Sequence, residues 1–173
     1  MSVIDRQTES MNFLSPLGFR FNIRRSPDIN YFVQSVTLPS ITLGQSAMPT
    51  PFIRLPLPGD HLDFSSFSVT FKVDEKMRNY MDIYDWMMGI GFPDSFDQHK
   101  AIASNGTSTG RGLVSDATLV IMSSSMNPLK QVTFKNIFPV DLSPITFDAR
   151  QSDVNYVEAT ATFALQKYEI IAA

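Results

Sequence analysis

The sequence predicts a mainly β domain built from antiparallel strands, with one principal α-helix. Apolar and polar residues alternate with a period of two in several segments, whereas one segment, residues 76–90, has a helical period instead. The length of 173 residues suits one domain and is sufficient to bury a hydrophobic core. We expect residues 1–16, which are polar and unpatterned, to form a flexible N-terminal arm, and residues 17–173 to form a single β domain.

The first two strands are predicted to form a hairpin over residues 19–38. Alternation is clear from Phe19 to Ile23, and the Ser-Pro-Asp sequence at residues 26–28 is typical of a turn. The stretch 31–38 would then run back as the partner strand. Neither face of this stretch is cleanly apolar, and Pro39 ends it because proline cannot donate to a ladder of hydrogen bonds.

Residues 44–60 contain a cluster of prolines and are predicted to form an extended arm. The prolines are Pro49, Pro51, Pro56 and Pro58, and Gly59-Asp60 ends the segment. A segment of this kind is stiff and has few backbone donors for a central strand. We therefore expect it to project from the domain.

A strand followed by the principal helix is predicted in the middle of the chain. Residues 67–73 alternate strictly between apolar and polar side chains, which is typical of a strand with one buried face. Asp74 follows as an expected N-cap, and the helix is predicted over residues 76–90. Residues 94–112, which contain SNGTSTGRG, have the composition of a flexible loop.

Tyrosine and methionine side chains form a stripe along the predicted helix. Four residues follow a spacing of i, i+3, i+4 and i+7, so their face should be buried against a sheet: Tyr80, Ile83, Tyr84 and Met87. Trp86 falls beside this stripe and could anchor either the core or an interface. Because methionine adapts to irregular partners, a partner-binding surface is the alternative to packing on a sheet.

Three more runs with strand character complete the predicted domain. They cover residues 117–123, 131–138 and 154–168. In the last run, small and apolar residues at odd positions alternate with mostly polar residues at even positions. The sequence contains no internal repeat.

The composition excludes several classes of function. There are no cysteines, so disulfides, thiolate metal sites and cysteine nucleophiles are excluded. The formal net charge of -3 does not indicate a basic surface for nucleic acid. Charged residues make up 18%, below the ~25% of an average soluble domain, which favours assembly with other chains. No secretory signal pattern or membrane-length apolar run is present, so we expect a soluble product made in the cytoplasm.

Candidate catalytic residues are few and scattered. His61 lies near Asp60 and Asp63, and His99 follows Asp97, so these side chains could be imagined as metal ligands or as an acid/base set. We expect them to lie in solvated loops, since no HExxH, P-loop, GxGxxG or GxSxG motif is present. We therefore expect no catalytic residue, metal or cofactor. A metal-dependent hydrolase that uses His61 and His99 is the alternative from a different functional class.

Several segments, taken in order, resemble the T4-like bacteriophage tail tube protein family. Residues 33–44 read VQSVTLPSITLG and match the pattern VxxVxLPxIxLG, and PGD follows at residues 58–60. FSVTFKVDE at residues 67–75 then enters a helix that contains Trp86. The later segments LKQVTFKNIFPVDLSPI and VEATATFALQKYEI are similar in kind and order. The resemblance therefore covers about residues 17–170.

The resemblance implies a two-sheet antiparallel β sandwich or barrel with one helix, assembled into hexameric rings. Stacked rings would form a hollow tube that conducts DNA inside a contractile sheath. The expected function is that of the repeating tail tube subunit in the virion. A baseplate-proximal tube or initiator protein and a tail terminator are the alternatives, because the long N-terminal segment and the loop at residues 94–112 depart from a bare tube subunit. Implied partners are further copies of the chain, the sheath protein, baseplate and terminator proteins, and genomic DNA that passes without specific binding.

Two sets of residues are expected to serve assembly. The resemblance implies that the proline-rich arm reaches an adjacent subunit or ring, through Met48, Pro49, Pro51, Phe52, Ile53, Arg54 and Leu55. DNA must slide without sticking, and each cation that neutralises a phosphate adds affinity, so the channel wall should be polar and neutral or acidic. The residues expected to face the lumen are Glu158, Thr160, Thr162 and Gln166. An outer strand exposed to solvent would show the same residues, and this alternative stays open.

Overall fold

The computed structural model describes residues 12–91, 93, 96–97, 100, 112–148, 150 and 156–172. The elements with described bounds are nine strands, one α-helix and one short 3₁₀ helix, and residues 96, 97 and 100 are also helical. The strands are β1 (Phe19–Ile23), β2 (Val33–Val36), β3 (Ile41–Pro49), β4 (Arg54–Phe64), β5 (Phe67–Lys72), β6 (Ser115–Met122), β7 (Pro128–Leu142), β8 (Glu158–Ala164) and β9 (Lys167–Ala172). The helix α1 covers Arg78–Gly91, and the 3₁₀ helix covers Pro27–Tyr31.

Seven of these strands form an antiparallel sheet that folds into two layers joined by β7. The strand order is β1-β6-β7-β8-β5-β2, and β9 also pairs with β7. The first part of β7 pairs with β6 and β9, whereas its last part, from Phe138, pairs with β8. Asn136, which has a φ of 52°, lies between the two parts. The predicted fold class, a two-sheet antiparallel β structure with one principal helix, is confirmed.

Aromatic side chains from both layers meet in the core. The Phe67 ring of β5 stacks on the Phe134 ring of β7 with 4.6 Å between centroids, and Phe21 of β1 contacts both rings edge-on. Elsewhere in the core a small residue lies beside a large one, because Ala159 of β8 is the register partner of the buried Phe71. The strict alternation in β5 and β8 thus places every second side chain in the core and leaves the others on an outer face.

The helix α1 closes the core with a face that overlaps the predicted one, since Tyr80, Ile83 and Met87 pack against the core as expected. Ile83 and Trp86 are fully buried, whereas Tyr84, which was expected to be buried, is 43% exposed. Trp86 therefore lies at the centre of the buried face and not beside it. Its indole lies 6.1 Å from the Phe163 ring, and its Nε1 donates to the Leu113 carbonyl at 2.9 Å. The hydroxyl group of Tyr84 can stay in water while its ring packs against the protein, so tyrosine tolerates this half-exposed position. Trp86 takes the fully buried position instead.

The start of α1 also differs from its predicted start at residue 76. The helix begins at Arg78, two residues after the predicted start, because Met77 has a φ of 54° and is not helical. The buried side chain of Asn79 holds this junction: its Oδ1 accepts from the backbone N–H groups of Asp74 and Tyr80, and its Nδ2 donates to the Lys72 carbonyl at 2.8 Å. An amide can donate and accept at once, which the carboxylate of the expected N-cap, Asp74, cannot do.

The predicted hairpin over residues 19–38 is wrong. β1 pairs with β6, and β2 pairs with β5, so the two strands lie at opposite ends of the sheet order. The 3₁₀ helix between them carries the chain from one layer to the other and buries Ile29. Asn30 holds this 3₁₀ helix against the end of β1, because its Oδ1 accepts a hydrogen bond from the backbone N–H of Ile23 at 2.8 Å.

The last predicted strand, residues 154–168, is two strands in the structure, and residues 154–155 lie outside the described residues. β8 ends at Ala164 and β9 begins at Lys167. The break lies opposite the bend in β7, where the Gln166 N–H donates to the Lys135 carbonyl at 3.1 Å. One straight strand could not follow β7 across this bend.

Two of the predicted segments are covered only in part. Residues 12–16 of the expected N-terminal arm contain no helix or strand, and residues 1–11 lie outside the described residues. Most of the expected loop at residues 94–112 also lies outside them. Within the described part of the chain, no helix is both long and apolar enough to cross a membrane.

Candidate assembly surfaces

The proline-rich segment forms most of a two-stranded ribbon that leaves the main sheet. β3 and β4 pair only with each other among the described residues, with Met48 opposite Leu55 and Pro49 opposite Arg54. The nine residues of β3 give the ribbon a length of about 30 Å. The segment expected to form an extended arm, residues 44–60, is thus part of a paired hairpin in the structure.

Proline is compatible with this ribbon because of where it sits in the register. Pro58, Pro56 and Pro49 lie in the cross-strand pairs with Gln45, Ala47 and Arg54. These pairs belong to one alternate set, and an antiparallel ladder has such a set in which neither N–H faces the partner strand. Prolines confined to that set leave the hydrogen bonds of the other pairs intact. Several prolines in the segment are therefore compatible with the pairing of β3 and β4.

The ribbon continues the β2–β5 pair outwards. The Thr37 N–H donates to the Ser68 carbonyl at 3.0 Å, and the Ser65 N–H donates to the Ser40 carbonyl at 3.1 Å. Near the base, the Phe64 ring packs edge-on against Tyr168 of β9 at 5.4 Å between centroids. The hairpin is thus attached at its base.

The two strands of the ribbon approach closely at a glycine pair. A Cβ added to Gly59 would lie 2.5 Å from the carbonyl oxygen of Gly44, closer than real Cβ contacts allow. The register shifts at this point, between the Leu43 and Gln45 pairs. Glycine at position 59 therefore permits the irregularity that bends the ribbon.

The seven residues expected to make intersubunit contacts lie together at the ribbon tip. The turn is ordered, because the Thr50 N–H donates to the Ile53 carbonyl and the Ile53 N–H donates to the Thr50 hydroxyl, both at 3.1 Å. Phe52 is 94% exposed and Ile53 is 62% exposed, and Met48 and Leu55 are also exposed. A two-stranded ribbon has no core of its own. Exposed apolar residues in such a cluster are typical of a protein interface.

A second surface is the outer face of β5 and β8, which is rich in hydroxyl groups. Three expected lumen residues, Glu158, Thr160 and Thr162, lie on it and alternate with buried residues of β8. Across the register, Thr160 faces Thr70 with 3.1 Å between their Oγ1 atoms, and Glu158 faces Lys72. This face therefore combines neutral hydroxyls with one acidic and one basic side chain.

Gln166, the fourth expected lumen residue, does not belong to this face. It lies beyond the end of β8, in the break before β9. Its side-chain oxygen accepts a short hydrogen bond from the Asn136 amide, which lies at the bend of β7. The break changes the direction of the chain, so the even-numbered alternation that linked Gln166 to Thr162 does not continue.

The two histidines do not form a site in the described residues. The His61 Nε2 lies 3.2 Å from an Asp63 carboxylate oxygen, and both side chains are largely exposed on β4. His99 lies outside the described residues. Among the residues that the structure describes, no group of three or more His, Cys, Asp or Glu side chains is placed to hold a metal ion.

Charged residues are concentrated beside α1. The Arg25 guanidinium lies 5.1 Å from the Trp86 ring and donates to the Gly112 carbonyl, and burial lowers its pKa. Partial burial, together with the nearby carboxylates of Asp28 and Asp85, raises the pKa of Asp82, while Arg25 lowers it. This cluster joins α1 to the strand β1 region.

A groove lies at the end of β5 near Lys72, and the sequence did not predict it. It encloses about 660 Å³ and is lined by aromatic and apolar side chains together with Lys72, Asp74 and Glu75. Its most exposed aromatics are Phe147, 76% exposed, and Tyr156, 72% exposed. Both lie between strands and have no periodicity. The signal in the sequence is a pair of aromatics in the connection between β7 and β8.

Comparison with known proteins agrees with this architecture. No protein-family model matches the chain. The tail tube terminator protein of Enterobacteria phage T4 is 22% identical over 152 residues, which cover 79% of this chain and 81% of that protein. The tube-terminating cap of the anti-feeding prophage superposes with a TM-score of 0.64 at 13% identity, over 100% of both chains.

Two further solved structures have the same fold. A protein of the sheath–tube complex of the PVC extracellular contractile injection system has a TM-score of 0.63 at 15% identity, over 100% of this chain and 99% of that chain. A protein of the PVC sheath/tube terminator has a TM-score of 0.58 at 15% identity, over 94% and 100%. The resemblance to the T4-like tail tube family that the sequence predicted is therefore confirmed, and the chain has the fold found in tube and tube-terminator assemblies of contractile systems.

Proposed function

We propose that this protein is the tail tube terminator of a contractile-tail bacteriophage, and that a ring of its copies closes one end of the tube. The similarity to the T4 tail tube terminator over 79% of the chain carries this proposal. The full-length match to the tube-terminating cap of the anti-feeding prophage supports it. The repeating tube subunit was expected from the sequence, with the terminator as an alternative, and the comparisons favour that alternative.

The surfaces of the chain support a role in assembly. The ribbon exposes an apolar tip that a lone monomer would leave in water. In the described part of the chain, β1 and β2 each have a strand neighbour on one side only, so each offers an edge to another chain. We propose a ring of six copies, a symmetry that a 6-fold baseplate structure of the anti-feeding prophage, with a TM-score of 0.62, supports.

The hydroxyl-rich face of β5 and β8 is proposed to line the channel. Its hydroxyls are neutral, and its Lys72 is matched across the register by Glu158, so the face has no excess of cations to hold phosphates. Genomic DNA would then pass without specific binding. The proposed location is the virion tail, after synthesis in the host cytoplasm, and the proposed partners are the tube, sheath and baseplate proteins.

The repeating tube subunit is the second candidate. The match to the PVC sheath–tube complex, with a TM-score of 0.63, favours it almost as strongly as the match to the cap. A repeating subunit must bind its own kind through both faces of the ring, whereas a terminator must stop growth at one face. The two functions therefore differ in where the protein binds on a tube.

Electron microscopy of labelled protein mixed with preformed tail tubes of the same phage tests the proposal. A terminator should add one layer at one end of each tube and should form no long tubes by itself. Label spread along the tubes, or open-ended tubes of the purified protein alone, would replace the terminator with the repeating subunit. If no label is found at the ends or along the walls of the tubes, the protein is neither a terminator nor a repeating subunit.

A further inference from the structure

The tip of the ribbon carries a specific chemical pattern. Phe52 and Ile53 project from the turn, and Met48 and Leu55 are cross-strand partners just below it. The charged residue among them is Arg54, which is exposed and has no ion-pair partner among the described residues. A surface that receives this tip should therefore be apolar, with a carboxylate at its edge.

The groove at the far end of β5 has the complementary pattern. Its walls include the aromatic rings of Phe32, Phe147 and Tyr156. Asp74 and Glu75 also line it, and no described side chain forms an ion pair with either carboxylate. The cation in the groove, Lys72, lies 5.2 Å from the Tyr156 ring. A volume of about 660 Å³ is in the range of cavities that enclose a ligand of several side chains.

Tip and groove of one chain lie at opposite ends of a continuous run of strands. The chain passes from the tip through β4, leaves the ribbon at Phe64, and reaches the groove only after β5 ends at Lys72. The six residues of β5 alone place about 20 Å between the ribbon base and the groove. The ribbon extends from the first end, so it points away from the groove of its own chain.

We propose that the ribbon tip of one copy docks into the groove of the next copy. Phe52 and Ile53 would enter between Phe147 and Tyr156, and Arg54 would face Asp74 and Glu75. Both halves are present on one chain and complementary in charge, which selects a second copy as the occupant. A contact between two different surfaces is head-to-tail, and it closes into a ring if its rotation permits. The inference rests on the proposed assembly function and names the contact that would build it.

Two complementary variants test the contact. Phe52→Asp blocks the tip and leaves the groove intact, whereas Phe147→Asp blocks the groove and leaves the tip intact. Each variant alone should be a monomer in light scattering after size-exclusion chromatography, while an equimolar mixture should form a 1:1 heterodimer. Both side chains are largely exposed, so the fold should survive, and circular dichroism checks this. Phe13→Asp, at an exposed phenylalanine outside both surfaces, is the matched control and should assemble like the unchanged protein.

A charge exchange tests the polar part of the contact. Arg54→Glu should weaken self-association about tenfold or more, as expected for breaking a charge pair at an interface. Glu75→Arg should do the same, and the double variant should recover most of the lost affinity. Asp85→Arg, which reverses an exposed carboxylate on α1 outside the groove, should have no such effect on the Arg54→Glu variant.

The outcomes separate this contact from the terminator function. If the mixed Asp variants stay monomeric, or if either variant alone assembles as well as the unchanged protein, the tip does not dock in the groove. An unchanged protein that stays monomeric yet caps tubes would refute the self-contact and leave the terminator function standing. Heterodimers in the mixture together with failure to bind tubes would support the contact and refute the terminator function.

Discussion

Replacement of Trp86 by alanine should strongly destabilise the monomer, because this residue connects α1 to three other parts of the fold. Its ring is 1% exposed and contacts Phe163 of β8. Its Nε1 donates to the Leu113 carbonyl, at the start of the segment that leads into β6. Arg25 covers the ring from the side of β1. The substitution would therefore loosen contacts on several elements at once.

The magnitude follows from the size of the cavity and from the lost hydrogen bond. Truncation of a buried tryptophan to alanine costs about 3–5 kcal/mol. The Leu113 carbonyl is only partly buried, so water can replace its donor and the hydrogen bond adds less than about 1 kcal/mol. For a chain of this length, each kcal/mol lowers Tm by about 2–4 °C. The expected decrease is therefore roughly 6–20 °C.

Urea unfolding gives the change in free energy and thermal unfolding gives the change in Tm, and both can be followed by far-ultraviolet circular dichroism. Trp86 is the only tryptophan of the chain, so the substitution would remove the tryptophan fluorescence by which unfolding is usually followed. Tyr84→Ala, two residues away on the half-exposed face, is the control and should cost less than about 1 kcal/mol. If the two variants lose similar stability, or if Trp86→Ala costs less than about 1 kcal/mol, the assignment of the buried helix face is wrong.

Three further outcomes are expected. Deletion of residues 47–57 should abolish self-association and leave a monomer that still unfolds cooperatively; loss of cooperative unfolding would place the ribbon in the core. Glu158→Lys should leave rings intact but give salt-dependent DNA binding. The slope of log K against log salt concentration should become steeper by about 0.9 for each phosphate contacted. Glu158→Gln is the control, and unchanged DNA binding of the lysine variant in filter assays would place Glu158 away from the channel. The pKa of Asp82 is raised in the folded state, so its stabilising effect is present below the ordinary carboxyl pKa and is lost as the pH rises. Asp82→Asn should therefore raise Tm near pH 7, and the gain should vanish below about pH 4; an equal gain at both pH values would contradict this linkage.

Strands with one fully buried face were predictable from the sequence, but the neighbour with which each strand pairs was not. β5 and β8 alternate strictly because each places one face in the core and the other outside, and this pattern is local. The predicted pairing of β1 with β2 failed because Ser-Pro-Asp at residues 26–28 fits a turn as well as the start of a 3₁₀ helix. Which strand β1 joins depends on contacts with β6, almost 100 residues away in the chain.

The candidate surfaces were predictable to different extents. The tip residues around Phe52 are contiguous, so the proline-rich composition located them even though the pairing of the ribbon was missed. The groove is assembled from Phe32, before β2, and from Phe147 and Tyr156, in the connection between β7 and β8, and neither segment has a periodicity. No local pattern can bring such residues together, because their proximity follows from the path of the whole sheet.

The low fraction of charged residues has a definite place in this structure. The outer face of β5 and β8 uses hydroxyls where a solvated sheet would carry more charges, and the ribbon tip uses apolar side chains with Arg54 as its one cation. The tip is the surface that least suits a lone chain in water, since Phe52 is almost completely exposed. Hydroxyls are instead suited to a wall along which a polyanion slides, and apolar tips are suited to contacts between subunits. Under the proposed function, low charge and exposed apolar area have one explanation, which is that the chain completes its surface in an assembly.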